Sequence, residues 1–234
     1  MNLNETVVVI TGGFGTVGLA TGRAAALQGA RVALIDRAAT PDLAALPEEL
    51  SNALLLGNVD LTSSVSAGHA FGAVASHFKG IDVLANVAGA FRWQTLAEGS
   101  LEVWDYMYNT NLKTAMVSCK AALPYLQKSR NGRVVNIGAG SAIKAGAGMG
   151  AYAASKAGVA KLTESLAEEL KDQGITVNAV LPSIVDTPQN RIEMATADFS
   201  RWVAPDALAD VIMFLASAKS RAITGALIPV SGRV

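Results

Sequence analysis

Tyr152 and Lys156 stand four residues apart in this chain. On a helix, side chains at positions i and i+4 lie on the same face, so the phenol and the ammonium would be neighbours. A phenol has a pKa near ~10 and is a poor acid-base catalyst at neutral pH. Because a nearby cation stabilises the phenolate, we expect Lys156 to lower the pKa of Tyr152 and make its hydroxyl a usable proton donor or acceptor.

A glycine-rich turn follows the first apolar run of the chain. Residues 7–10 are Val-Val-Val-Ile, which is typical of a strand buried on both faces. The turn reads G-x-G-x-x-G at Gly13, Gly15 and Gly18, and an alanine-rich helical pattern follows. A second predicted strand, residues 31–35, leads to Asp36. This order, with an acidic residue about 20 positions after the glycines, predicts a dinucleotide site.

The turn is expected to hold a pyrophosphate, because glycines let the backbone approach it and the helix N-terminus faces its charge. The predicted contacts are Gly12, Gly13, Phe14, Gly15, Thr16, Val17 and Gly18. Asp36 would accept hydrogen bonds from the adenosine ribose and repel a 2′-phosphate. NAD is therefore favoured over NADP as the cofactor, although Arg37 could pair with a phosphate.

Together these features make the chain resemble the short-chain dehydrogenase/reductase family over nearly all of its 234 residues. The resemblance implies further cofactor contacts at positions that match the family's motifs: Asp60, Asn86, Ala88, Gly89, Pro182 and Thr187. Asp60 would contact adenine, and the segment from Asn86 to Gly89 would support the adenine side of the pocket. Pro182 and Thr187 would contact the nicotinamide carboxamide.

The resemblance also implies catalytic roles. Tyr152 would donate the proton in the reductive direction, Lys156 would bind the nicotinamide ribose, and Asn111 would hold a water for proton relay. The family's catalytic serine normally lies 13 residues before the tyrosine, where this chain has Ala139. Ser141 would point to the same side of an extended strand, so it is the candidate replacement.

Three functions remain open at this point. The first is reversible hydride transfer to a small carbonyl or from an alcohol. The second is a dihydropteridine-type reductase acting on a quinonoid dihydropterin. That branch of the family also lacks the serine, and the segment from Asn190 to Trp202 of this chain resembles it. The third is a weakly catalytic NAD-binding protein, which only the missing serine suggests.

Composition is consistent with one α/β domain. Lys plus Arg and Asp plus Glu both number 19, so we expect neither a nucleic-acid nor a membrane partner. The single cysteine, Cys119, excludes an internal disulfide, and His69 and His77 support no metal site. The first residues lack an apolar signal core, which predicts a cytoplasmic protein. The family resemblance implies a homotetramer or homodimer.

Apolar segments and helical patterns alternate along the chain. Strands are predicted near 6–11, 31–35, 53–58, 81–86, 132–138, 175–180 and 225–230, and helices near 17–28, 62–79, 101–127, 151–172 and 205–217. This alternation predicts a single Rossmann-type, doubly wound domain: a seven-stranded parallel sheet with helices on both faces. Pro229 places the last strand at an edge, and residues 38–50 are expected to form an irregular turn or a short helix.

Overall fold

In the computed structural model, which describes residues 2–234, β1 lies near the middle of a parallel sheet. The sheet has seven strands in the order β3-β2-β1-β4-β5-β6-β7. The strands are β1 Val7–Thr11, β2 Arg31–Ile35, β3 Leu54–Leu56, β4 Val83–Asn86, β5 Arg133–Ile137, β6 Thr176–Pro182 and β7 Leu227–Val230. The helices are α1 Thr16–Leu27, α2 Ser64–Phe78, α3 Leu101–Met107, α4 Thr114–Leu126, α5 Gly150–Leu170, α6 Pro188–Glu193 and α7 Pro205–Ala216.

Each face of the sheet has its own apolar core, which explains the continuous apolar runs. Val7 and Val9 of β1 pack with α2, α4 and α5. Val8 and Ile10 of the same strand pack with α1 and α7 on the opposite face. Successive strand side chains point to opposite faces, so a strand covered on both sides is apolar throughout. The predicted fold class is confirmed, and Pro229 lies on the edge strand β7.

Two segments differ from the predicted elements. The helix predicted over 101–127 is divided by a π-helical turn, Tyr108–Lys113, between α3 and α4. The short helix α6 was not predicted, although Thr187 caps its N-terminus and Pro188 begins it, both common helix-start signals. Residues 38–50, expected to form an irregular turn or a short helix, contain two single 3₁₀ turns, Leu43–Ala45 and Glu48–Leu50.

The strand order places a crevice beside β1. The chain proceeds from β1 to β2 and β3 on one side, and then returns to pair β4 with β1 on the other. Ligands of open α/β sheets bind at such a reversal, outside the carboxyl ends of the strands. The turns after β1, β2 and β4 meet there. Within residues 2–234, no helix has the length and apolar character that crossing a bilayer requires.

Candidate active site

The turn after β1 is closely packed against the turn after β4. Gly12 has a φ of +63°, and a Cβ on it would lie 2.7 Å from the Cα of Ala88. A Cβ on Gly18, in the first turns of α1, would collide with the carbonyl oxygen of Gly12. These two positions therefore require glycine, for conformation and for space. Gly15 is the N-cap of α1, and no described side chain caps it.

A groove of about 1060 Å³ runs from this turn across the carboxyl edge of the sheet. The predicted cofactor residues that line it are Gly12, Gly15, Thr16, Val17, Gly18, Asp36, Arg37, Asp60, Ala88, Gly89 and Thr187. Gly13 packs instead against β2, since a Cβ on it would lie 2.7 Å from the Cβ of Leu34. Phe14 does not line the groove, and its backbone N–H donates a hydrogen bond to the Asp36 carboxylate.

Asp36 is held at the end of β2 by two backbone donors. Its carboxylate accepts hydrogen bonds from the N–H of Phe14 at 3.0 Å and from that of Ala38 at 2.9 Å. These contacts tie the acidic residue to the glycine turn and fix where it meets the groove. Arg37 is exposed beside it.

Asp60 lies further along the groove and is exposed. One oxygen of its carboxylate accepts hydrogen bonds from the Thr62 hydroxyl at 2.7 Å and the Thr62 N–H at 2.8 Å. These hydrogen bonds lower the pKa of Asp60, and the nearby charges of Lys113 and Arg37 contribute to the shift. The carboxylate is therefore charged at neutral pH.

The side chain of Asn86 points into the protein, so any support that it gives to the cofactor pocket is indirect. It is buried, and its Nδ2 donates to Oδ1 of Asn136 on β5 at 2.8 Å and to Sγ of Cys119 at 3.3 Å. Asn136 in turn donates to the Thr163 hydroxyl on α5 at 2.8 Å. Asn86 therefore joins β4, β5 and, through Asn136, α5, and the residues that follow it line the groove.

Tyr152 and Lys156 lie on α5 as predicted, but their protonation differs from the expectation. Lys156 is 4% exposed, and its Nζ donates to the carbonyl oxygen of Ile137 at 2.7 Å. Burial lowers the pKa of Lys156 to about 8 and raises that of Tyr152 to about 12. The predicted lowering of the phenol pKa is not found in the chain alone, because the loss of water outweighs the ammonium, which is bonded to a carbonyl.

Asn111 lies in the π-helical turn, with 1% of its surface exposed. Its Oδ1 accepts from the N–H of Ala90 at 2.8 Å, and its Nδ2 donates to the carbonyl of Ala90 and to the Ser155 hydroxyl. A Cβ on Gly89 would lie 2.9 Å from Asn111 Oδ1 and 3.3 Å from Lys156 Nζ. Asn111 and Lys156 therefore meet beneath Gly89, at the wall of the groove.

Ser141 lies on a 3₁₀ turn, Gly140–Ala142, rather than on an extended strand. The expectation about its direction therefore used the wrong geometry, since β5 ends at Ile137. Its Oγ is nevertheless buried, and it has no hydrogen-bond partner among residues 2–234. Ala139 is 5% exposed.

The two remaining predicted residues lie near β6. Pro182 is buried as the last residue of the strand and does not line the groove. Thr187 does line it, and its hydroxyl accepts from the N–H of Asn190 at 3.2 Å.

Several groove residues have no counterpart among the predictions. Five of them come from the end of α3, the π-helical turn and the first residue of α4: Tyr106, Asn109, Thr110, Lys113 and Thr114. An uninterrupted helix was expected there. The helical period of the sequence does not reveal the π-helical turn, which rotates these side chains towards the groove. Ser155 was also missed, although it stands between Tyr152 and Lys156. Its hydroxyl joins Asn111 to the carbonyl of Tyr152 at 2.7 Å.

Comparison with known proteins is consistent with this geometry. The family described as short chain dehydrogenase matches residues 6–197. The 3-oxoacyl-[acyl-carrier-protein] reductase FabG of Thermotoga maritima is 34% identical, over 99% of this chain and 98% of its own. The 2,5-dichloro-2,5-cyclohexadiene-1,4-diol dehydrogenase LinX of Sphingobium indicum is 30% identical, over 97% and 94%.

Structural comparison agrees. A variant of a short-chain dehydrogenase/reductase from Serratia marcescens is 27% identical and superposes with a TM-score of 0.89, over 100% of this chain and 99% of that one. These relatives do not indicate the dihydropteridine-type alternative.

Proposed function

This chain belongs to the short-chain dehydrogenase/reductase family of NAD(P)-dependent oxidoreductases, and on that premise we propose that it transfers hydride reversibly between NAD(H) and a small carbonyl or alcohol. The supporting observation is that the groove built on the glycine turn extends to Gly89, where Lys156 and Asn111 lie directly behind the wall. The backbone at Gly89 thus separates the proposed dinucleotide groove from Lys156 and Asn111 by only one layer of atoms, which supports a shared site.

The groove residues fit a dinucleotide. Any side chain at Gly12 or Gly18 would fill the turn, so the backbone there is free to approach phosphate. We propose that the backbone from Gly12 to Gly18 holds the pyrophosphate and Asp36 the adenosine ribose. Asp60 would contact adenine, and Thr187 would contact the carboxamide. When bound, the nicotinamide supplies or accepts the hydride.

The chain's own residues handle the proton. With the pKa of Tyr152 raised to about 12, its hydroxyl stays protonated at neutral pH and is ready to donate to the oxygen of a carbonyl being reduced. Lys156 carries its proton below a pH of about 8, so its ammonium stabilises the phenolate that donation leaves behind. In the oxidative direction the proton moves the opposite way, from the alcohol hydroxyl to Tyr152.

Asn111 and Ser141 support this chemistry in different ways. The amide of Asn111 is already bonded to Ala90 and Ser155, so it holds the turn after β4 against α5. The predicted relay of protons through a water at Asn111 stays a prediction. The Oγ of Ser141 is buried and has no described hydrogen-bond partner, and we propose that it donates to the substrate oxygen in place of the serine absent at Ala139.

Replacing Tyr152 with phenylalanine tests the proposed function. Tyr152→Phe is expected to lower kcat by roughly 10²- to 10⁴-fold, because it removes the general acid and keeps the ring. Dinucleotide affinity, measured by calorimetry, should change less than about threefold. Near-normal turnover in this variant would refute the role of Tyr152. Dinucleotide binding by the wild type, without turnover on any carbonyl or alcohol, would favour the weakly catalytic alternative.

The preference for NAD is proposed on Asp36 alone. Its carboxylate is tied to the glycine turn, where it would meet a 2′-phosphate with like charge. Asp36→Ala is expected to weaken NADH binding and strengthen NADPH binding, and so lower the NADH preference by about tenfold or more. Affinities for both nucleotides in both proteins provide the measurement. An unchanged preference for NADH over NADPH in the variant would contradict the role proposed for Asp36.

We propose a homodimer or homotetramer from the family and from exposed apolar side chains on and beside α3 and α4. Leu101 is 73% exposed, Tyr108 47% and Met116 41%. Sedimentation of the purified protein at several concentrations would detect this assembly, and a monomer throughout would contradict it.

A further inference from the structure

Two aromatic side chains from the connection after β4 lie against the segment that carries Tyr152. The ring centroids of Phe91 and Tyr152 are 4.9 Å apart, and the planes are nearly perpendicular at 87°. Phe91 remains 36% exposed, so part of its ring is open beside the phenol. A molecule that reaches the Tyr152 hydroxyl would therefore meet this ring.

Trp93 is held in place although it is largely exposed. Its Nε1–H donates to the carbonyl of Ala147 at 2.9 Å, and the N–H of Gln94 donates to the carbonyl of Gly148, also at 2.9 Å. Gly148 has a φ of +72°, and a Cβ on it would collide with the indole. The indole nevertheless keeps 59% of its surface exposed.

Rigid aromatic surface of this kind is typical of a ligand site, because exposed apolar area gains free energy when a ligand covers it. Phe91 and Trp93 provide such area, because both remain partly exposed while contacts with the segment that carries Tyr152 hold them.

We infer that Phe91 and Trp93 select a substrate with a flat unsaturated or aromatic ring next to the reacting carbonyl or alcohol. Aromatic rings prefer offset-stacked or perpendicular contacts at centroid distances of about 4.5–7 Å, which a puckered saturated ring cannot reproduce. This inference rests on the proposed function, because it concerns the substrate of the same site.

Acetophenone and cyclohexyl methyl ketone form a matched pair of probes, with the same methyl ketone and the same number of non-hydrogen atoms. Their intrinsic reactivities differ, but the difference cancels when the ratio of their kcat/KM values is compared between variants. Phe91→Leu and Trp93→Leu are each expected to lower the ratio of acetophenone to cyclohexyl methyl ketone by roughly two- to tenfold. An unchanged ratio in both variants overturns the inference.

Two further variants serve as controls for general damage to the loop. Trp93→Phe keeps a ring and should retain most of the wild-type ratio. Leu96→Ala changes an apolar side chain on the same connection that is 75% exposed, and it should leave the ratio unchanged. A fall in the ratio with Leu96→Ala as large as that with Trp93→Leu would also overturn the inference.

Binding of unreactive amides separates this inference from the proposed function. Titration calorimetry with the protein saturated with NAD would compare benzamide with cyclohexanecarboxamide. Tighter binding of benzamide to the wild type, lost in Phe91→Leu, supports ring selection even if neither ketone is reduced, in which case only the proposed function fails. Equal binding of the two amides to the wild type overturns ring selection, whatever the turnover.

Discussion

The two halves of the carboxyl edge of this sheet are built in different ways. Beside β1 and β2 the site consists of backbone, shaped by glycines such as Gly12 and Gly18 that leave no room for a side chain. Beside β5 and α5 it consists of the side chains of Tyr152 and Lys156, whose protonation is set by burial. The first half is specified locally in the sequence, and the second depends on distant parts of the chain.

The difference extends to stability. The glycine turn is well packed, and the charged side chain tied to it, that of Asp36, lies at the groove. Lys156, in contrast, is a buried ammonium with a single described acceptor, the carbonyl of Ile137. Burying a charge with so few partners costs free energy. Substitutions in the two halves should therefore have opposite effects on stability.

The largest effect is expected at the glycine turn. Gly18→Ala places a Cβ against the carbonyl oxygen of Gly12, so it should lower the free energy of unfolding by about 3 kcal/mol and weaken dinucleotide binding. Gly68→Ala is the matched control, because its Cβ would have no described atom within 4 Å and it lies inside α2. That change should instead stabilise the protein by about 0.5–1 kcal/mol.

Urea unfolding of both glycine variants gives the measurement, with calorimetry for the dinucleotide. A Gly18→Ala protein as stable as the wild type would mean that the turn can relax around a side chain. The description of the site beside β1 and β2 as closely packed backbone would then be wrong.

A smaller effect, of opposite sign, is expected at Lys156. Its folded-state pKa of about 8 lies below the ordinary value of 10.5, so the wild type carries a penalty that is complete below pH 8 and disappears as the pH rises to about 10.5. Lys156→Met should therefore raise the free energy of unfolding at pH 7 by about 2 kcal/mol, after allowing for the hydrogen bond lost at Ile137, while turnover collapses.

The gain from Lys156→Met should shrink between pH 8 and pH 10.5, which urea unfolding at several pH values would show. Destabilisation at pH 7 would indicate that the ammonium is better solvated than its burial implies. Lys161→Met is a suitable control, since Lys161 is exposed on the same helix and its change should shift stability by less than about 0.5 kcal/mol.

The contrast also explains what could be predicted from the sequence. Apolar runs determined the strands, and the turn glycines with Asp36 indicated the groove, because both depend on residues close together in the chain. The protonation of Tyr152 and the direction of Asn86 could not be predicted in this way. Each depends on packing between β4, β5 and α5, and Asn86 and Asn136 are 50 positions apart.

Ser141 and the π-helical turn illustrate a second limit. Two residues along an extended strand return to the same face, but β5 had already ended at Ile137, and strand ends are poorly marked by periodicity. The π-helical turn inserts into a sequence whose pattern is helical throughout, so the groove residues Asn109 and Lys113 gave no separate signal.

The pH dependence of catalysis shows whether burial or the Lys156 ammonium determines the pKa of the Tyr152 hydroxyl. Reduction takes up one proton, so the ratio of the oxidative to the reductive kcat/KM must rise about tenfold per pH unit. If Tyr152 keeps a pKa near 12, the reductive value is flat between pH 6 and 7.5, and the oxidative value carries the whole slope. If a bound ligand brings the ammonium close enough to lower that pKa below 6, the reductive value falls with pH and the oxidative value is flat. Initial rates in both directions on one pair of alcohol and carbonyl decide between these outcomes. We expect the kcat/KM of oxidation to rise with pH and that of reduction to stay constant.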